Sequence, residues 1–196
     1  MNTLQFFLEH HHRLYFLTGG LFDRLKDLTD GQMRICPNYQ NSIAWLVWHM
    51  ARCEDVGINR LVTDKQQIIN RDGWYQKLNL TRKDIGTGMK EKEVNQLSSK
   101  INVEQLKAYS KLVAIKTEEV ISNLNEHVLD EILPTEYISK ILYDEYVVDE
   151  KDTSVLQVYK NKSRGWFLGH LGLTHAKGHL SQILIIRKLQ GLGSGE

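Results

Sequence analysis

Apolar residues recur at helical spacing in four separate stretches of this chain, a pattern that predicts an all-α protein built as a four-helix bundle. In residues 3–28, Leu4, Phe7, Leu14, Leu17, Leu21, Leu25 and Leu28 are spaced by three, four or seven and share one helix face. Gly19-Gly20 weakens this helix, at about 1 kcal/mol per glycine relative to alanine, so a kink is expected there. A second helix, capped by Asn41 or Ser42, runs to about residue 62 on Ile43, Leu46, Met50, Cys53 and Val56, with His49 at the edge of the stripe.

Between residues 63 and 101 the periodicity decays into a polar stretch containing Asn70, Gly73, Asn79, Gly86 and Gly88. It reads as a long connection, and its length implies partial structure or a functional lid. A third helix follows Asn102, carries Leu106, Tyr109, Val113, Val120 and Leu124 to about residue 127, and must end before Pro134. Residues 135–162 admit two readings: Tyr137 to Leu142 a helical turn, and YVVDEKDTSVLQVY a strand, a charged turn and a second strand. The expectation is therefore a short β-hairpin or an irregular insertion before the last helix. That helix follows Ser163 and runs to about residue 190, where Gly191 and Gly193 stop it.

At 196 residues, with 41% hydrophobic and 25% charged side chains, the chain has the size and balance of one globular domain spanning 1–196. Lys and Arg number 25 against 24 Asp and Glu, a net charge of +1, so no strong field favours a polyanion or an acidic membrane. Cys36 and Cys53 lie in unlike surroundings and suggest no disulfide framework. The apolar start MNTLQFFLEHHHRLYFL lacks a basic leader region and is broken by Glu9, three histidines and Arg13. A cytoplasmic protein is expected. Its expected partners are a small-molecule substrate and a second copy of the chain, with no nucleic acid and no membrane.

The chemistry concentrates in HLGLTHAKGHLSQILIIRKLQG. His175 and His179 are four residues apart and therefore adjacent on one helix face, where two imidazoles can grip one metal ion. The same face continues through Leu168, Gly172, Gln182, Ile186 and Leu189, so the rings look toward a bundle core. Such a pair alone is weak evidence, because it also arises on solvated faces. His49, at the rim of another helix's buried stripe, strengthens it, since bundles build metal sites from facing helices. Three neutral imidazoles with open positions suit zinc, nickel, copper or iron, with zinc or nickel expected first.

This arrangement resembles the DinB/YfiT-like family of metalloenzymes. There, a histidine within an apolar, Trp-containing second helix, here WLVWHMARCED, joins an H-x-x-x-H pair near the C-terminus. The pair is commonly followed by Gln three residues on and a Leu/Ile/Arg-rich run closed by Gly. The matching residues are His175-Ala176-Lys177-Gly178-His179-Leu180-Ser181-Gln182, then Ile183 to Lys188, then Gly191. The helix order corresponds over nearly the whole chain, while the specific motifs occupy 42–55 and 170–191. Ala176-Lys177-Gly178 departs from relatives that often carry Glu, Ala or a further His, and so does the tyrosine-rich stretch before the last helix. The resemblance implies a four-helix fold, with His49, His175 and His179 as ligands of a divalent transition metal. It also implies a small-thiol cosubstrate, because relatives include S-transferases and isomerases that use bacillithiol, mycothiol or glutathione.

Other residues carry plainer readings. His10, His11 and His12 point in different directions around a helix and are expected at or near its surface, with His10 or His11 near the pocket as the alternative. His170, five residues before His175, falls off the ligand face and reads as a packed or capping residue, with a place in the site as the alternative. His127 complements a helix dipole. Trp45 and Trp48 read as core, although Trp45, one turn before His49, can also wall the pocket, together with the tyrosines between Tyr137 and Tyr159. Glu54 and Asp55 read as a solvated face, Gln182 as an orienting partner of His179, and Cys53 as a small buried residue rather than a fourth ligand. Two function classes remain: a metal-dependent, transferase-like enzyme, and a non-catalytic binding or interaction protein stabilised by its metal.

Overall fold

The computed structural model of the protein describes residues 2–193 and 195. The described residues are helical and contain no strand, only an isolated antiparallel bridge between Ile132 and Ser163. Helix α1 (Thr3–Tyr15) begins with Asn2 and Gln5 capping each other's backbone. The chain then breaks at Gly19, whose φ is +78°, before α2 (Leu21–Leu25) and α3 (Asp30–Arg34). The kink expected within residues 3–28 is therefore a full interruption. A Cβ at Gly20 would lie 2.8 Å from the Arg13 carbonyl, so the chain needs a bare backbone to fold back there.

Helix α4 (Ile43–Asp55) starts at Ser42, whose Oγ accepts from the Trp45 amide at 2.9 Å, and all its residues are buried. It continues into a π-helical segment, Val56–Val62. The stretch 63–101 is not a bare connection. It holds a 3-10 turn at Ile68–Asn70, α5 (Trp74–Lys77) and α6 (Glu91–Lys100). Asp55 anchors it: the carboxyl accepts from the Ile68 and Ile69 amides at 2.8 and 2.9 Å and from Tyr109 Oη at 2.7 Å. Arg52 adds bonds to Gln67 Oε1 at 2.9 Å and the Lys83 carbonyl at 3.0 Å.

Helix α7 (Val103–Ser122) is capped by Asn102 and ends earlier than its periodicity predicts, because Asn125 caps a separate 3-10 turn at Glu126–Asp130. Helices α8 (Thr135–Asp144) and α9 (Ser154–Tyr159) occupy the region where a hairpin was one expectation. Two local causes favour helix there. Asp152 accepts from the Ser154 amide at 2.8 Å at the start of α9, and Val155 and Tyr159, one turn apart, are both buried. Val-Leu-Gln-Val-Tyr is rich in residues that favour strands but buries Val155 and Tyr159 at a spacing of four.

The last long element is α10 (Arg164–Gly169), a second π segment at His170–Thr174, and α11 (His175–Leu189). Gly191, at φ +71°, ends it in the left-handed conformation. Helix α1 packs on α7, α7 on α4, α4 on α11, and the π segment before α11 returns to α1, which closes a four-membered bundle. The two π segments meet where glycine allows it. A Cβ at Gly57 would fall 2.7 Å from Leu171, and one at Gly172 would fall 2.8 Å from Phe7. Among the described residues no helix is long and apolar enough to cross a membrane.

Candidate metal centre

His49 projects from a helix with no water-facing side, so its polar atoms need protein partners. Its Nδ1 lies 2.5 Å from the Ile85 carbonyl oxygen. A carbonyl can only accept, so Nδ1–H donates and the Nε2 lone pair is left free. Ile85 is held in turn by its amide, which donates to the Val147 carbonyl at 2.9 Å. Gly86 follows at φ +88°, where a Cβ would fall 2.5 Å from the Trp48 ring. Trp45 stacks on His49 with centroids 4.7 Å apart and planes at 16°, and its Nε1–H donates to Met89 Sδ at 3.2 Å. Residues 85–89, which carry no helical periodicity, thus orient His49 and help to wall the site.

His175 and His179 sit one turn apart on α11 with ring centroids 4.4 Å apart and Nε2 atoms 3.1 Å apart. His179 Nδ1–H donates to Gln182 Oε1 at 2.7 Å, which turns its Nε2 lone pair inward. The His49 ring lies 5.0 Å from His175 and 4.9 Å from His179. One nitrogen from each ring lies within 4.8 Å of the other two, so the three can hold a metal ion. Orienting bonds on two of the three aim bare lone pairs at one point, which is repulsive unless a cation or proton sits between them. Bonds of about 2.0–2.1 Å to a central ion fit this spacing. The third ring is the exception: His175 Nδ1 is buried without a partner, a cost of about 1–3 kcal/mol that ligation at Nε2 would offset.

Burial holds all three imidazoles neutral at physiological pH, the form that ligates. Burial and the neighbouring His49, His179 and His170 rings push His175 down to about 2. Burial lowers His49 to about 4 against the opposing Ile85 bond, and it lowers His179 against Gln182. Cys53 Sγ is 3.8 Å from both His49 nitrogens, but burial pushes its thiol up to about 12, and it stands outside the group of converging nitrogens. It acts as a small buried side chain.

The other sequence expectations fare unevenly. Trp45 is both buried and a wall of the site. Three of the tyrosines are engaged elsewhere. Tyr137 donates to Asp64, Tyr143 to the Asp152 carbonyl, and Tyr146 lies under Lys83. A groove of about 880 Å³ between 81–87 and 143–151 takes in Tyr143 and Tyr146 and none of the three histidines. Tyr159 is buried close to Cys53, the neighbour of His49, and stands edge-on to Trp166, which stacks on His170. His170 is not off the ligand face: its ring lies 6.0 Å from His175.

Glu54, Asp55 and His11 are corrected most. Both acids are 0% exposed, and so is His11. His11 Nε2–H donates to Glu54 Oε1 at 2.9 Å and Nδ1–H to Glu118 Oε1 at 3.2 Å, while Tyr15 Oη donates to the other Glu54 oxygen. Burial alone would lower the His11 pKa, but the two carboxyl groups raise it to about 9. Charge spacing along one helix carries no signal of this network, because its partners come from α1, α4 and α7.

These shifts have opposite signs and meet at one pH. Between about 6.5 and 4 an unfolded His49 takes up a proton that the folded one refuses, so stability is lost as pH falls through that window, and further toward 2 for His175. His11 is raised instead. Its stabilisation is complete below 6.5 and lost as pH rises through about 9. Chelated, metal-free protein should therefore show a maximum melting temperature near pH 6.5. A thermal scan series between pH 4 and pH 10 that stays flat would contradict this.

The profile of the DinB superfamily matches residues 13–183. A solved structure, described as the conserved protein of a locus from Enterococcus faecalis, shares the fold with a TM-score of 0.65 at 19% identity. The match covers 96% of this chain and 97% of that one. No curated protein matches the sequence.

Proposed function

The chain belongs to the DinB superfamily, and from that premise we propose that it is a metal-dependent enzyme with a small-thiol cosubstrate, performing S-transfer or isomerisation on a small molecule. His49, His175 and His179 would hold the ion, zinc or nickel. When bound, the ion supplies a Lewis acid with an open position, which acidifies an entering thiol or water near neutral pH. A cytoplasmic location and a homodimer belong to the same proposal, while nucleic acid and membranes do not.

The observation that carries the reading is the inward aim of the histidine nitrogens on a site closed behind and open in front. His49 is buried, whereas His175 and His179 are half-buried, so access is from the α11 side. The protein's own residues do the rest. Ile85 and Gln182 hold two rings in the ligating tautomer, and Trp45 excludes water behind His49. The half-buried pair keeps the site in contact with solvent.

Cobalt(II)-substituted protein titrated with bacillithiol, mycothiol, glutathione and coenzyme A should develop a sulfur-to-metal charge-transfer band at millimolar thiol, absent in His179→Ala. If cobalt binds and no thiol changes the spectrum, the transferase reading fails. A metal-stabilised binding module then becomes the better account.

A further inference from the structure

We infer that His170 is a specificity-determining residue of this site, whose Nε2 accepts a hydrogen bond from a hydroxyl or ammonium group on the carbon chain of the entering thiol. The inference rests on the proposed metal–thiol function and goes beyond it by naming a feature of the cosubstrate.

At 3.6 residues per turn, residues five apart stand about 140° from each other around a helix, which would turn His170 away from His175. The π segment cancels that separation. The His175 amide donates to the His170 carbonyl, an i to i+5 bond that brings the two residues one above the other. The His170 ring then stands 6.0 Å from His175, half-buried, on the side of the site that opens to solvent.

Its orientation is fixed from two sides. Trp166 stacks on it at 4.5 Å with planes at 25°, and Trp166 is itself braced edge-on by Tyr159 and Phe167. Thr174 Oγ1 lies 3.2 Å from the His170 carbonyl, 3.5 Å from the Gly169 carbonyl and 3.3 Å from His170 Nδ1. The hydroxyl has one proton and two carbonyls to give it to, so it accepts from Nδ1–H. Nε2 remains an acceptor without a partner of its own at the mouth. It stands outside the three converging nitrogens and is not a ligand in this arrangement. A donor one or two carbons from the thiol sulfur is the group placed to meet it.

The probes are 2-mercaptoethanol, which carries such a donor, and ethanethiol, which does not. They are titrated into cobalt(II) protein while the charge-transfer band is recorded. In His170→Phe, which keeps a ring on Trp166, the 2-mercaptoethanol dissociation constant should rise about tenfold, the effect of one lost hydrogen bond. Ethanethiol binding, cobalt content and melting temperature should be unchanged, and His170→Gln, which restores an acceptor, should recover most of the loss. Equal effects on the two thiols would overturn the role of His170 while leaving the metal–thiol reading standing. Loss of cobalt from both variants would overturn it too, by making His170 a ligand or a structural residue. A wild-type protein silent to both thiols would remove the metal–thiol reading and this inference with it.

Discussion

Replacing His175 and His179 together with alanine is expected to take the purified protein from one transition-metal ion per chain to none, as read by mass spectrometry of the metal content. The size of the effect follows from the geometry. The two Nε2 atoms are 3.1 Å apart, and His49 is the third nitrogen of the group. Removing the pair leaves one imidazole, buried behind Trp45, with no partner to share an ion. Single replacement of His49 should also abolish tight binding, because its Nε2 is oriented by the Ile85 carbonyl and none of the neighbouring side chains can take its place. Cys53 is the nearest alternative, but its sulfur stands outside the group of three converging nitrogens. Undiminished metal in the double variant would show that the ion sits elsewhere.

The largest effect on stability is expected at Glu54, a position where the linear sequence suggests a solvated face. Glu54→Ala would leave a buried, protonated His11 and the Tyr15 hydroxyl without their acceptor. Breaking a buried pair from one side in this way costs about 3–5 kcal/mol, because the remaining charge stays desolvated. Glu54→Gln should cost less, since an amide oxygen still accepts from one donor. Glu119→Ala is the natural control: its pairing with Lys116 is exposed on the surface of α7, and such pairs contribute little. Urea unfolding of the three variants measures the comparison. A Glu54→Ala midpoint indistinguishable from that of Glu119→Ala would show that the network has no energetic weight.

Much of the fold is legible because its signals are local. The apolar stripe through Ile43, Leu46, Met50, Cys53 and Val56, the cap at Ser42 and the glycine stop at 191 depend on residues within a few positions of one another. The adjacency of His175 and His179 is local too, being a property of i, i+4 spacing on any helix. His49 was placed with them by helix order and family resemblance, and the fold brings all three rings within 5.0 Å.

Helix content, the starts of α1, α4, α7 and α10, and the identity of the candidate histidines are properties of local sequence. The tertiary structure decided the rest, wherever a side chain's state depends on partners far along the chain. Whether Glu54 is solvated or buried turns on His11, 43 residues away, and the orientation of His49 turns on Ile85, 36 residues away. The first part of the stretch 63–101 looks unstructured because its order comes from Asp55 and Arg52, whereas α6 buries Val94, Leu97 and Ile101 at helical spacing over too few residues to stand out. His170 looks misplaced because helical-wheel spacing assumes 3.6 residues per turn, and the π segment does not obey it. That segment is set by packing, with Gly172 against Phe7 and Leu171 against Gly57. Local periodicity records which face of a helix is apolar; only the packed chain shows which buried polar group has found its partner.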